Sequence, residues 1–178
     1  MSIPRALLLA AWAALASSLA PAAAVAEGPG LGQPLAEDEI PFYARYVMPD
    51  GAGLPPGGGT ANEGRAIFEA QCGACHGETG AEGPIMPPVG PSESYGKPAG
   101  QHWPCATTLF DYIRRAMPFP HPKSLSDDEV YAVTAFILFR NGLVAKDEVV
   151  SADNLAGVAM PNRDNFIDLW AKNKDKPY

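Results

Sequence analysis

Five consecutive residues, Cys72-Gly73-Ala74-Cys75-His76, constrain this chain more than any other feature. Two thiols three residues apart lie on the same side of one helical turn. An imidazole follows directly. In an exported protein this C-x-x-C-H pattern reads as an attachment site for c-type haem. The thiols of Cys72 and Cys75 would add across the two vinyl groups as thioethers. His76 would then reach the iron from the proximal side.

Two other chemistries use the same residue types. A C-x-x-C pair serves thiol oxidoreductases, but that use wants a βαβ setting, and none is visible in the pattern. Cys72, Cys75 and Cys105, with His76 or His102, would make a Cys3His zinc site. The gap from Cys75 to Cys105 is rich in Gly and Pro rather than a compact knuckle, which favours haem over zinc.

The N-terminus has the form of an export signal. Arg5 supplies a sparse positive region, Ala6 to Ala20 an apolar run, and Ala24-Val25-Ala26 a small-x-small cleavage site. The apolar run is too short for a membrane anchor, and Pro21 ends it. The expected organisation is a signal peptide over residues 1–26, an arm over 27–59, a haem domain over 60–145 and an extension over 146–178. Cleavage near Ala26 places the protein in the periplasm, where c-type haem is attached. No second stretch approaches a membrane span.

The formal charge is −7 and becomes one unit more negative once Arg5 leaves with the signal. That argues against nucleic acid as a partner. An acidic surface suits either steering toward an oppositely charged redox partner or plain solubility. With two thiols committed to haem, Cys105 is left over and is expected to be buried as a small apolar residue.

Helical signals dominate the region around the motif, so the expected fold class is all-α. Thr60-Ala-Asn-Glu63 forms a capping box, followed by apolar Ala66, Ile67 and Phe68. A second helix is expected over 107–117, capped by Thr107 or Thr108, with Leu109, Phe110 and Ile113 facing inward and Pro118 stopping it. The third runs from Ser126 to Asn141, with a capping box at Ser126–Glu129. Val130, Val133, Phe136 and Ile137 follow its helical period, and Asn141-Gly142 makes a C-cap. Between them, Gly77 to Gly100 is irregular and suited to wrapping a flat apolar group. Upstream, Pro41 is expected to interrupt a short helical piece over 37–46, and Gly51 to Gly59 reads as a loop.

A low-spin electron-transfer haem needs a second axial ligand, and a thioether opposite His raises the potential. The candidates are Met48, Met86, Met117 and Met160, with His102 and His121 as bis-histidine alternatives. Met117 is favoured, because Pro118-Phe119-Pro120 makes a stiff loop behind it and rigid elements hold ligands best. His76 should donate its other ring nitrogen to a carbonyl, for which Pro87-Pro88 is the candidate. Arg114 or Arg115 would either pair with a haem propionate or end a solvated helix. Trp103 would either flank the haem or fill the core.

Gly64, Phe68, the Cys72–His76 motif, Met117-Pro118 and the final helix together resemble class I cytochrome c. That resemblance implies a close crossing of the first and last helices at Gly64, near Phe136. A narrower resemblance lies in Trp103-Pro104, in Ala106 through Phe119 and in Ser124 through Ala135. Gly51 to Pro56 and Met160-Pro-Asn-Arg163 add to it. These segments are similar to the cytochrome subunits of Sox sulfane dehydrogenase and related sulfite dehydrogenases. The likeness implies Met117 as distal ligand and a molybdenum-cofactor subunit as electron donor; another cytochrome c is the expected acceptor. Larger Sox cytochromes carry two haem domains, whereas this chain has one motif. Cys105 stands where the relatives have an aromatic residue. The expected function is electron transfer without catalysis by the chain itself. The alternatives are a free-standing carrier and a ligand-binding or catalytic haem protein.

Overall fold

Two capping boxes set the two helices that matter most. The structure, a computed structural model, describes residues 32–90 and 98–167. The expected signal peptide and the end of the C-terminal extension lie outside the described residues. Among the described residues, those from Asp38 onward make one compact unit.

Helix α1 is a single turn, Ile40–Tyr43. Pro41 stands in its first turn and starts the helix rather than interrupting it, since its missing N–H has no intrahelical partner there. Helix α2 spans Ala61–Gln71 and α3 is the turn Gly73–His76. A further turn, α4, covers Ala99–His102. Helix α5 covers Ala106–Ala116, and α6 covers Asp127–Arg140. Gly58–Gly59 (β1) pairs antiparallel with Val150–Ser151 (β2), Gly58 opposite Ser151 and Gly59 opposite Val150. Two 3-10 turns, Leu155–Gly157 and Arg163–Asn165, complete the described chain.

The Thr60 and Ser126 boxes are both reciprocal, with Glu63 and Glu129 closing them. Helix α5 departs from expectation at its start. Cys105 holds the N-cap position without a side-chain cap bond, while Thr107 is buried and donates its hydroxyl to the Pro49 carbonyl at 3.2 Å. Thr107 lies within the first turn rather than before it, so its hydroxyl is not placed to cap and is free to donate to a tertiary acceptor.

The buried face of α2 is Ala61, Gly64 and Phe68, whereas Ala66 is exposed. Gly64 lies directly against α6: a Cβ there would overlap the Ala132 carbonyl. The crossing is therefore one turn before Phe136, the position expected for it. Phe136 instead packs against Phe68, with ring centroids 5.0 Å apart and the rings tilted by 42°. Without the glycine the two backbones cannot approach this closely.

Helix α6 is buried on all sides from Val130 to Leu138, more than its one-sided apolar period required. Helices α2 and α5 cover part of it. The β1–β2 pair packs on it as well, and the arm and extension contribute Val47, Val150, Leu155 and Met160 to the same core. Specific bonds tie these segments down. Val47 N–H donates to Asp111 at 2.9 Å, and Asn162 Nδ2 donates to the His102 carbonyl at 2.7 Å. Tyr131 donates to the Pro55 carbonyl at 2.8 Å. The buried Tyr131 ring also stacks on Phe110 at 4.4 Å.

Three outcomes follow. Gly64→Ala is expected to cost about 3 kcal/mol, the upper end of overpacking penalties. Gly157→Ala, where a Cβ meets open space, should change denaturant midpoints little. Burial, reinforced by Asp127, pushes the Tyr131 phenol up to about 12 from 10.0. A phenol raised in the fold supports stability fully below its unfolded value and loses that support as pH climbs through its folded value. Wild-type stability should thus decline between about pH 10 and 12 more steeply than that of Tyr131→Phe, read by urea melts across that range.

Candidate functional site

The motif sits where α2 ends. Cys72 N–H donates to Phe68 O at 2.8 Å as the last helical bond of α2, and Cys72 is the N-cap of α3. His76 N–H reaches back to Cys72 O at 2.9 Å, so Cys72, Cys75 and His76 share one turn. Gly77, at φ 80°, ends it in a conformation that suits glycine. Cys75 is exposed and Cys72 partly buried against the apolar core; both thiols are free. Burial, with a smaller contribution from Cys75, pushes the Cys72 thiol up to about 11.

The His76 ring is held from one side. Its Nδ1 lies 2.9 Å from the Met86 carbonyl oxygen, to which it donates as the Nδ1–H tautomer, leaving Nε2 free for a metal. The acceptor is thus the residue before Pro87, not a carbonyl within Pro87-Pro88. Proline geometry at 87 and 88 holds that carbonyl in place. The loop folds onto the motif through two further bonds, Gly83 N–H to His76 O at 3.1 Å and Ile85 N–H to Cys75 O at 3.0 Å. Gly83 permits this approach, because a Cβ there would overlap the His76 and Cys75 backbone. The Phe68 ring lies 6.5 Å from the imidazole.

Met117 is the C-cap of α5 and packs, partly buried, against the same core as Cys72. The other methionines lie elsewhere. Met48 and Met86 are about half exposed, and Met160 is buried within the core at 4% exposure. His102 is exposed and its ring contacts Phe166 at 5.8 Å. His121 is exposed in the loop after Pro118.

Both arginines have carboxylate partners within the protein. Arg114 forms a two-pronged pair with Asp127 at 2.7 and 3.2 Å, and Arg115 one with Asp111 at 3.0 and 2.5 Å. Trp103 packs on the core and on Tyr112, with rings 5.3 Å apart. Cys105 is only partly buried. Among the described residues no three His, Cys, Asp or Glu side chains converge as a metal site, so the Cys3His zinc set is not assembled.

The residues present fit a covalently held haem. Two free thiols and an imidazole with one nitrogen engaged occupy one turn. Ile85, Met86 and Phe119 on the flanking loops expose apolar side chains, Phe119 to 81%. Apolar surface of this kind suits contact with a porphyrin face or edge. Sequence reasoning missed Asn141 as more than a cap. Its side chain accepts from Gly90 N–H at 3.1 Å and donates to Pro88 O at 3.1 Å, bracing the loop that carries Met86. The only signal in the sequence was a polar residue at a helix end.

Residues 59–137 match the family model described as cytochrome c oxidase, cbb3-type, subunit III. Over 84% of its length the chain superposes, at 38% identity and TM-score 0.69, on 76% of a chain in the crystal structure of the sulfane dehydrogenase SoxCD from Paracoccus pantotrophus. The protein is a c-type cytochrome. Its fold is the all-α class I cytochrome c fold, and membership implies haem c and electron transfer. Two thiosulfate dehydrogenases are also similar. The Stutzerimonas stutzeri protein is 32% identical over 56% of this cytochrome, and the Allochromatium vinosum protein 30% identical over 70%. The cytochrome spans 32% and 44% of their respective lengths. Among the described residues no helix is long and apolar enough to cross a membrane.

In the haem-free cytochrome, exposed Cys75 should react with iodoacetamide well before Cys72 at pH 8. The Cys72 rate should keep climbing toward about pH 11, following its raised pKa. Peptide mass mapping of alkylation across pH checks both.

Proposed function

We propose that this cytochrome is a periplasmic one-haem electron acceptor for a molybdenum-dependent dehydrogenase of sulfite or sulfane sulfur, and passes its electrons to another cytochrome c. The observation that carries the reading is the likeness to a SoxCD chain over most of both chains. Residues 1–26 would direct export and be removed near Ala26. The haem domain would occupy 60–145, flanked by the arm 27–59 and the extension 146–178.

In this reading Cys72 and Cys75 would anchor a single haem c, and His76 and Met117 would hold its iron. The haem supplies a one-electron iron couple. The chain's own residues set its conditions. His76, oriented by the Met86 carbonyl, binds through Nε2, and that hydrogen bond strengthens it as a donor. A Met117 thioether bound to the iron would favour the ferrous state and raise the potential. Phe68, Phe136 and the surrounding core keep water away from the proximal side. Arg114 and Arg115, engaged with Asp127 and Asp111, are structural in this scheme rather than propionate ligands.

The names of the two thiosulfate dehydrogenases favour a second reading, in which the chain is the haem part of an enzyme oxidising thiosulfate. An open or exchangeable sixth position would then be required. Ready binding of carbon monoxide by the ferrous protein at neutral pH would support that reading and count against Met117.

Met117→Ala is expected to abolish the weak sulfur-to-iron band near the red edge of the oxidised spectrum and to lower the reduction potential. An unchanged spectrum and potential would assign the ligand elsewhere. Export of tagged protein from its native host should bring down a molybdenum subunit in stoichiometric amount; recovery of the cytochrome alone would leave it a free carrier.

A further inference from the structure

The bracing of the proximal histidine does not end at its own helix. Met86, whose carbonyl receives His76 Nδ1–H, lies between two backbone anchors. On one side Ile85 N–H is bonded to Cys75 O at 3.0 Å, an anchor supplied by the motif itself. On the other, Pro88 O and Gly90 N–H are both bonded to the Asn141 side chain at 3.1 Å, an anchor supplied by the end of α6. The buried residues Pro87 and Pro88 connect the carbonyl to this second anchor. Each has its φ fixed by its ring, so little freedom remains between Met86 O and Asn141.

The amide is fully engaged. Nδ2 also donates to Ile137 O at 2.8 Å, one turn back in α6, so both its hydrogens have acceptors. A flipped amide would set an oxygen against two carbonyls, so the assignment is determined by the network. Buried Gly100 closes over it: a Cβ there would overlap Asn141 Nδ2. One polar side chain is thus clamped between α6, α4 and the loop after the haem motif.

We infer that Asn141 is a positioning residue for His76. It holds the Pro88–Gly90 backbone, and through the proline pair it sets the Met86 carbonyl that orients the imidazole and strengthens it as a donor to iron. The inference rests on His76 being the proximal ligand, as proposed above. It links the C-terminus of α6, which touches no atom of the motif through this residue, to the electronic properties of the haem.

The sign of a potential shift separates this role from a merely structural one. A hydrogen bond from Nδ1 makes the imidazole a better donor and favours ferric iron, so weakening it raises the potential. General loosening that admits water favours the more highly charged ferric site and lowers it. The test uses holoprotein matured with haem, in wild-type form and as Asn141→Leu, which keeps bulk while removing both polar atoms. Gly100→Ala, which displaces the amide from the opposite side, is the second variant should Asn141→Leu fail to fold. Midpoint potentials come from spectroelectrochemical titration, and exchange of the haem-shifted His76 Nδ1–H from NMR. Each variant should show a raised potential and exchange about tenfold faster, the counterpart of one lost hydrogen bond. An unchanged potential with unchanged exchange overturns the role of Asn141, as does a lowered potential. A wild-type protein without any haem-shifted Nδ1–H from His76 would overturn the ligand assignment and this inference together.

Discussion

The contact between Gly64 and the Ala132 carbonyl is the constraint on which the rest of this cytochrome depends. Helix α2 can lie this close to α6 only because position 64 carries no side chain. Phe68, one turn on, then meets Phe136, and Cys72, a further turn on, comes to rest against the core. The haem motif begins where α2 runs out, so its place relative to the core is inherited from a backbone crossing two turns away. A protein with a longer side chain at 64 would have to separate the helices, and the motif would move with them.

The site itself is made mostly of backbone. Carbonyls of Cys75 and His76 receive the N–H groups of Ile85 and Gly83, and the Met86 carbonyl receives the imidazole. Glycines at 77 and 83 allow the chain to turn and lie flat on the motif. An irregular segment can therefore hold an imidazole firmly without a core of its own. Its rigidity comes from prolines and from bonds to better-ordered elements.

What the sequence made legible was local. Both capping boxes involve residues three apart whose side chains answer each other's backbone, so they could be read without knowing the fold. The inward faces of α5 and α6 and the C-x-x-C-H turn were readable for the same reason. Tertiary competition was not readable. Thr107 gives its hydroxyl to Pro49 rather than to the helix end, and Arg114 and Arg115 turn to Asp127 and Asp111. The helix crossing fell at Ala132 rather than Phe136, and the carbonyl facing His76 at Met86 rather than a proline. The last two misses were steps of four residues and of one along elements correctly placed. Periodicity gives the face of a helix but not the height at which a neighbour crosses it.

The pairing of Gly58–Gly59 with Val150–Ser151 has a consequence for how the molecule assembles. It joins the arm to the extension, with all three long helices of the core between them. Most contacts in a small helical protein are close in sequence and form quickly. This one must wait for a large loop to close, and loop closure over such a span carries an entropic cost before any bond is gained. Gly58–Gly59 and Val150–Ser151 both pack on α6, so that face is covered only when the two segments are in place. The core of the cytochrome is complete only once its two flanks have met, so its closure depends on a long-range pairing as well as on the docking of its helices.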